Sequence, residues 1–329
     1  MALTLLRPSS LAALAAAAVL TLGGCAADDL GSGSGGSGGS GGGSEDSSQP
    51  GEGVTVNLSG QAFDEAALVA AMYTDLLEDA GFTVEANLVQ SRDVYMADFP
   101  GRIDVVPEYS GGIANFLNAR ENGDDAEPIT DSETQAMIAE LGPLAQQAGL
   151  SVLDPSDAAD TNAYFVTEEY ANQNDLRTLS DLADVDGPIT LAAAPDCEGR
   201  ADCEGGLSDT YGIEIDQVLP LGFASQQTYE AVSSGEAELG QTATTDGSLD
   251  AQGFVLLEDD QGIQPAQNLV PIVSTEFLEA NPAIEEILNP LMAALTTDKL
   301  AELNNRVSVD RETPEAVSED FLQSEGLLD

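Results

Sequence analysis

Two cysteines six positions apart, Cys197 and Cys203, bracket Arg200 in the stretch PDCEGRADC. The chain of 329 residues has only nine basic residues against 59 acidic ones, so an arginine in so short a potential ring raises the question of its use. Two lone cysteines in a chain without histidine make a poor zinc site, which needs four ligands. The lack of histidine also removes Ser-His and Cys-His catalysis. A carboxylate pair can hydrolyse glycosides, but 59 acids make chance pairs common. What remains is a guanidinium on a stapled loop, suited to a carboxylate ligand or to an ion pair with Asp196, Glu198 or Asp202. These residues argue against an enzyme, and neither a metal nor a cofactor is expected.

The formal net charge is −50, and Lys299 is the single lysine. Such a surface repels nucleic acid and anionic lipid headgroups, so neither is expected as a partner. The acidity reads as a means of staying hydrated in a saline or otherwise demanding exterior. The N-terminus, MALTLLRPSSLAALAAAAVLTLGGC, places Arg7 before an apolar run from Leu11 to Leu22. That run is too short for a comfortable membrane span and reads as a secretory signal over residues 1–24. Its end, LGGC, resembles the lipobox of bacterial lipoproteins, which implies a diacylated Cys25 and anchoring on the extracytoplasmic face of the cell membrane.

Residues 25–53 continue as glycine, serine and acids, a flexible tether with an r.m.s. reach of about 30 Å. Export puts Cys197 and Cys203 in an oxidising compartment, where they read as a disulfide. A ring this small contributes little by loop entropy. Its use is to fix the shape of the loop that carries Arg200.

The elements that must position these residues alternate between strand and helix from Val54 onward. VTVNL is a strand, GQAF a loop, and DEAALVAAMYTDLLEDAGF a helix with Leu68, Val69, Met72, Tyr73, Leu76 and Leu77 on one face. FTVEANL and RIDVVPEYSGG supply strands, GIANFLN restarts a helix, and a longer helix spans about 131–148 before the strand LSVLDP. The pattern then starts over with AYFVTEEY as strand, TLSDLADV as helix, ITLAAA as strand, the cysteine loop and a short helix to Tyr211, followed by a helix and strand in QQTYEAVSSGEAELGQTATTD. GFVLLEDD and NLVPIVS are strands, and the chain is helical from Thr275. This pattern predicts an α/β chain with two mixed, mostly parallel sheets, a lobe on each, and a cleft between them. Lobe 1 is expected at 54–157 with 264–329 and lobe 2 at 158–263, with hinges near 155–162 and 257–267.

The motifs GQAFDEAALVAAMYTDLLEDAGFTV, GRIDVVPEYSGG, DTNAYFVTEEYA, LAAAPDCEGRADCEGGLSDTYGIE, TYEAVSSGEAELGQTATTDG and VLLEDDQGIQP occur in that order from Val54 to Leu328. Together they resemble the substrate-binding proteins of ABC importers for glycine betaine, choline, carnitine and related osmoprotectants. The resemblance implies a two-lobed, type II periplasmic-binding-protein fold and a monomer that hands a small solute to a membrane permease. A quaternary ammonium has no N–H to donate and is held over aromatic faces, while a carboxylate end needs guanidinium, ammonium or backbone donors. The family places tyrosines where Tyr109 and Tyr164 stand and an arginine where Arg200 stands. Phe63 and Asn162 are further candidate contacts, and Thr244 in the threonine-rich loop is added to them.

Departures from the pattern bear on the ligand. Gln61 replaces a frequent lysine, Gly112 a frequent threonine, and Ala243 and Gln267 stand where some members have a third and fourth tyrosine. A box short of rings loses roughly 1 kcal/mol per ring for a bare trimethylammonium. The ligand is therefore expected to be zwitterionic or polar, and not necessarily glycine betaine. A different amino-acid-like solute, or a sensor role without transport, stands as the alternative.

Overall fold

The computed structural model describes residues 49–123 and 125–328. The expected signal segment, Cys25 and the tether up to Ser48 lie outside the described residues. The last five residues of the expected tether are docked on the body and not free. Gly51 N–H donates to the Ala80 carbonyl at 3.0 Å, and the Gln49 amide donates to the Asp79 carbonyl at 2.7 Å. A side chain on Gly51 would strike Phe82 at 2.3 Å, so glycine is needed for this close approach.

The first half of the chain runs β1 (Thr55–Gln61), α1 (Asp64–Asp79), β2 (Thr83–Val89), α2 (Arg92–Met96), β3 (Val105–Tyr109), α3 (Ser110–Asn122), α4 (Thr134–Gln147) and β4 (Leu150–Val152). It continues with β5 (Asn162–Thr167), α5 (Glu168–Asn174), α6 (Leu179–Ala183), β6 (Ile189–Ala193), α7 (Glu204–Asp209), β7 (Ile215–Pro220), α8 (Gln226–Ser234), β8 (Leu239–Ala243), α9 (Leu249–Gln252) and β9 (Phe254–Leu257). It closes with β10 (Leu269–Ser274), α10 (Thr275–Ala280), α11 (Ala283–Ala294), α12 (Thr297–Ser308) and α13 (Pro314–Ser324).

Two five-stranded sheets result, ordered β2-β1-β3-β10-β4 and β7-β6-β8-β5-β9. β1 pairs in parallel with β2 and β3, and β6 with β7 and β8. The antiparallel ladders all involve β10 or β5, the strands by which the chain enters from the other sheet. The two crossing segments run side by side. Ala159 and Asn268 form an antiparallel bridge, Leu269 N–H donates to the Ala158 carbonyl at 2.9 Å, and Asp160 N–H to the Gln267 carbonyl at 3.1 Å.

Each sheet buries its own core. Leu68, Val69, Met72, Tyr73 and Leu77 of α1 are fully buried against Leu288, Leu291 and Met292 of α11, Leu300 of α12 and Leu322 of α13. The C-terminal helices thus return to the first sheet, and each large apolar side chain so buried contributes about 1.5–3 kcal/mol. The second sheet's core holds Leu191, Leu239 and Leu207 together with both cysteines, which are fully buried.

Four elements, α2, α5, β7 and α9, escape the sequence pattern. β7 is an edge strand whose residues are half-buried or exposed without alternation, and α2 is a five-residue helix too short to show a period.

Candidate ligand site

The site grows from the carboxyl ends of the sheet strands, where α/β folds gather loops around ligands. β3 ends at Tyr109 and turns at once into α3. The first N–H groups of that helix need partners, and the returning crossing segment supplies them. Ser110 N–H donates to the Asn268 carbonyl at 2.9 Å, Gly111 N–H to the Ala266 carbonyl at 3.0 Å, and Gly112 N–H to Gln267 Oε1 at 2.9 Å. A Cβ at residue 111 would lie 2.6 Å from the Ala266 carbonyl, so only glycine lets the two segments meet.

Across from this corner stands the loop that joins β6 to α7. Cys197 and Cys203 are bonded, with 5.3 Å between their Cα atoms. Within the ring Arg200 is held by Asp202, Nε to Oδ1 at 2.9 Å and Nη2 to Oδ2 at 2.5 Å, and by Asp196, Nη1 to Oδ2 at 3.1 Å. Asp202 is itself a hub. Its carboxylate accepts from Asn162 Nδ2 at 3.2 Å, and its carbonyl accepts from Tyr164 OH at 3.0 Å and Gln264 Nε2 at 2.9 Å.

A cavity of about 900 Å³ lies between the two walls, a size suited to a small organic solute. Gly111, Gly112 and Gln267 line it on the first-sheet side, and Arg200, Ala201 and Asp202 on the other. Three sequence candidates therefore share one cavity: Gly112, Gln267 and Arg200. Arg200 both forms the ion pairs weighed from sequence and faces this space.

None of the remaining six candidates, Tyr109, Tyr164, Phe63, Gln61, Asn162 and Thr244, lines this cavity. Tyr164 is 1% exposed and backs the cavity through Asp202, as does Asn162. Tyr109 is 7% exposed, and Phe63 stacks on it with ring centroids 6.1 Å apart and planes 25° from parallel. Phe63 is 41% exposed, a ring face open to solvent in front of Tyr109. Gln61 ends β1 and is half-buried. Thr244 lines a different cavity, with Asp246, Asp298 and Asn305, and its hydroxyl donates to the Ala159 carbonyl at 2.6 Å. It ties the second sheet to a crossing segment.

Sequence reasoning missed four polar groups here. Glu65 in the first turn of α1 is 5% exposed and accepts from Tyr109 OH at 2.6 Å and from Asn304 Nδ2 at 2.5 Å. Asp160 on the crossing segment accepts from Thr245 Oγ1 at 3.0 Å. Burial, and then the charge of Glu65, pushes the Asp160 carboxyl up to about 7. Burial likewise raises Glu65, against the pull of its donors Tyr109, Asn304 and Thr245. Neither acid has a basic partner among the described residues. Gln264, 5% exposed, keeps an unpartnered Oε1.

The fourth group is Arg92 of α2, which lines the cavity from the first-sheet side. The one available signal was scarcity: with nine basic residues in the chain, each arginine merits a search for its partner.

The profile described as the substrate binding domain of the ABC-type glycine betaine transport system matches residues 54–324. The chain belongs to this family. Its members are binding proteins of ABC importers that work outside the cytoplasm, not enzymes. The chain is 28% identical over 285 residues to the glycine-betaine-binding protein of Pseudomonas aeruginosa, covering 84% of this chain and 89% of that one. It is 27% identical over 281 residues to the glycine betaine-binding protein YehZ of Escherichia coli, covering 82% and 90%. The apo YehZ structure superposes with a TM-score of 0.70 at 26% identity over 83% of this chain and 99% of that one. A crystal structure titled for a glycine betaine/carnitine/choline ABC transporter gives 0.71 at 21% identity, over 83% and 100%. The paired sheets are thus the type II periplasmic-binding-protein fold expected from sequence, and the chain serves an ABC transporter by binding a small osmoprotectant.

Proposed function

We propose that the protein captures a zwitterionic quaternary amine of the glycine betaine or carnitine kind and delivers it to the permease by closure of two lobes. The observation that carries this reading is the cavity shared by Gly112 and Gln267 on one side and Arg200 on the other. A guanidinium suits the carboxylate end. Phe63 of the β1–α1 loop, stacked on Tyr109 at the end of β3, offers a ring face to the trimethylammonium end, although neither ring lines that cavity. Buried Glu65 and half-buried Asp160 have no basic partner among the described residues, so a cation bound at this corner would favour their charged forms.

The lobes are residues 54–157 with 264–329, and 158–263. The paired crossing segments act as the hinge, and contacts from both lobes favour the closed state. Cys25 carries the lipid that holds the protein at the outer face of the cell membrane, and the tether lets a monomeric body reach the permease. A polar, amino-acid-like zwitterion is the second reading, favoured by Gln267, whose amide engages Gly112 at a position where a ring would mark a fuller box.

Native mass spectrometry of protein purified without denaturation tests the choice. A retained mass matching glycine betaine or carnitine supports the first reading. A retained amino acid without a quaternary nitrogen supports the second.

A further inference from the structure

Arg92 and Arg200 line the same cavity from opposite walls, Arg92 on the first-sheet side and Arg200 on the second. Arg92 is fixed by its pairing with Glu108, Nε to Oε1 at 2.7 Å and Nη2 to Oε2 at 2.9 Å. Glu108 also accepts from Tyr95 OH and, at 2.9 Å, from Tyr109 N–H. With four donors on it and 1% exposure, this carboxylate holds one edge of the guanidinium and is screened from any ligand. Nη1 of Arg92 donates to no acceptor among the described residues.

The space Arg92 occupies exists because residue 112 is glycine. A Cβ there would lie 2.6 Å from Arg92 Nη2 and 3.3 Å from Nη1. Any side chain at 112 displaces the guanidinium. The small residue and the arginine therefore form one device, 20 positions apart in sequence.

We propose that Arg92 is a specificity-determining residue: its free Nη1 edge and Arg200 clasp the carboxylate of the solute from opposite lobes, selecting zwitterions over choline. The proposal rests on the quaternary-amine reading and adds to it a residue and a selectivity. Charge-assisted hydrogen bonds of this kind discriminate by about 10- to 100-fold.

Calorimetric titration of glycine betaine, carnitine and choline into the full body tests it with two variants. Gly112→Ala places a methyl against the guanidinium while keeping every charge and adding helix propensity. Arg92→Gln combined with Glu108→Gln removes the pair without leaving a lone buried charge. The expected result in either folded variant is a loss of about 10- to 100-fold for the two zwitterions and a change within about threefold for choline. A zwitterion-to-choline ratio unchanged from wild type in Gly112→Ala overturns the proposal, and that variant decides alone should the double variant fail to fold. Wild-type protein that prefers choline overturns the proposal and the zwitterionic part of the reading it rests on, but not the capture of a quaternary amine. Wild-type protein that binds none of the three overturns both.

Discussion

Arg92 and Glu108 meet edge to edge, two hydrogen bonds at 2.7 and 2.9 Å joining a guanidinium to a carboxylate that is 1% exposed. A buried pair of this kind is costly to break from one side, because the partner is left charged and without compensation. Glu108→Gln is expected to lower the unfolding free energy by about 3 kcal/mol or more. Arg306→Gln breaks the surface contacts to Glu312 and Asp320 and is expected to cost at most about 1 kcal/mol. Urea unfolding of the two variants checks the contrast, and equal losses would show that the Glu108 pair is not acting as a buried one.

The disulfide shapes the Arg200 loop more than it stabilises the chain. Closing so short a ring contributes about 2 kcal/mol in the chain-entropy account. Cys197→Ser with Cys203→Ser is expected to lower stability by about that amount and to weaken solute binding beyond what the stability loss explains. The check is thermal unfolding beside calorimetric titration under conditions where both proteins are folded. Unchanged affinity in the double variant would separate the loop from the ligand.

The Asp160 carboxyl gives the protein a pH signature. It keeps its proton up to about pH 7 in the folded state, whereas an ordinary aspartate ionises near 3.8. The folded state holds the extra proton across that window, so this group's favourable contribution to stability is largest at the acid end and is lost as pH rises through 7. A bound cation reverses the preference and favours the carboxylate, against burial and the charge of Glu65. Affinity for a quaternary ammonium is therefore expected to rise from pH 5 to pH 7, by up to about tenfold per unit. Asp160→Asn flattens both trends, which titrations at several pH values check.

Much of this was legible in the sequence because it rests on local periodicity. The apolar face of α1 is the one its 3-4 spacing gives, and the fold class follows from alternating strands and helices. The helix expected at about 131–148 forms as Thr134–Gln147. Arg200 was singled out by scarcity and its cysteine-bracketed loop, and it lies on the cavity wall. Arg92, Glu65, Asp160 and Gln264 were not found, because their roles come from contacts between segments apart in sequence. Glu65 meets Asn304, and Asp160 meets Thr245, across 239 and 85 positions. No spacing rule encodes such meetings. Gly112 looked like a missing threonine, and only the three-dimensional neighbour Arg92 gives it a purpose.

Gly247 follows β8 and packs on α12, where a Cβ would lie 2.0 Å from the Ala301 carbonyl and 2.8 Å from Asn305 Cβ. This contact joins the second sheet's loop to a helix of the first sheet's core. Gly247→Ala is expected to wedge the two apart, raising the radius of gyration in small-angle scattering and lowering solute affinity about tenfold through the population of the closed state. A variant with wild-type dimensions and wild-type affinity would show that this contact plays no part in closure.

The central claim is that an arginine and an aromatic face enclose one zwitterion. Calorimetric titration of glycine betaine and carnitine into wild-type, Arg200→Ala and Phe63→Ala proteins tests it most directly. The expected result is saturable one-to-one binding to the wild type, with each substitution weakening it at least about tenfold. Wild-type binding that persists undiminished in both variants, or no binding to the wild type at all, would contradict it.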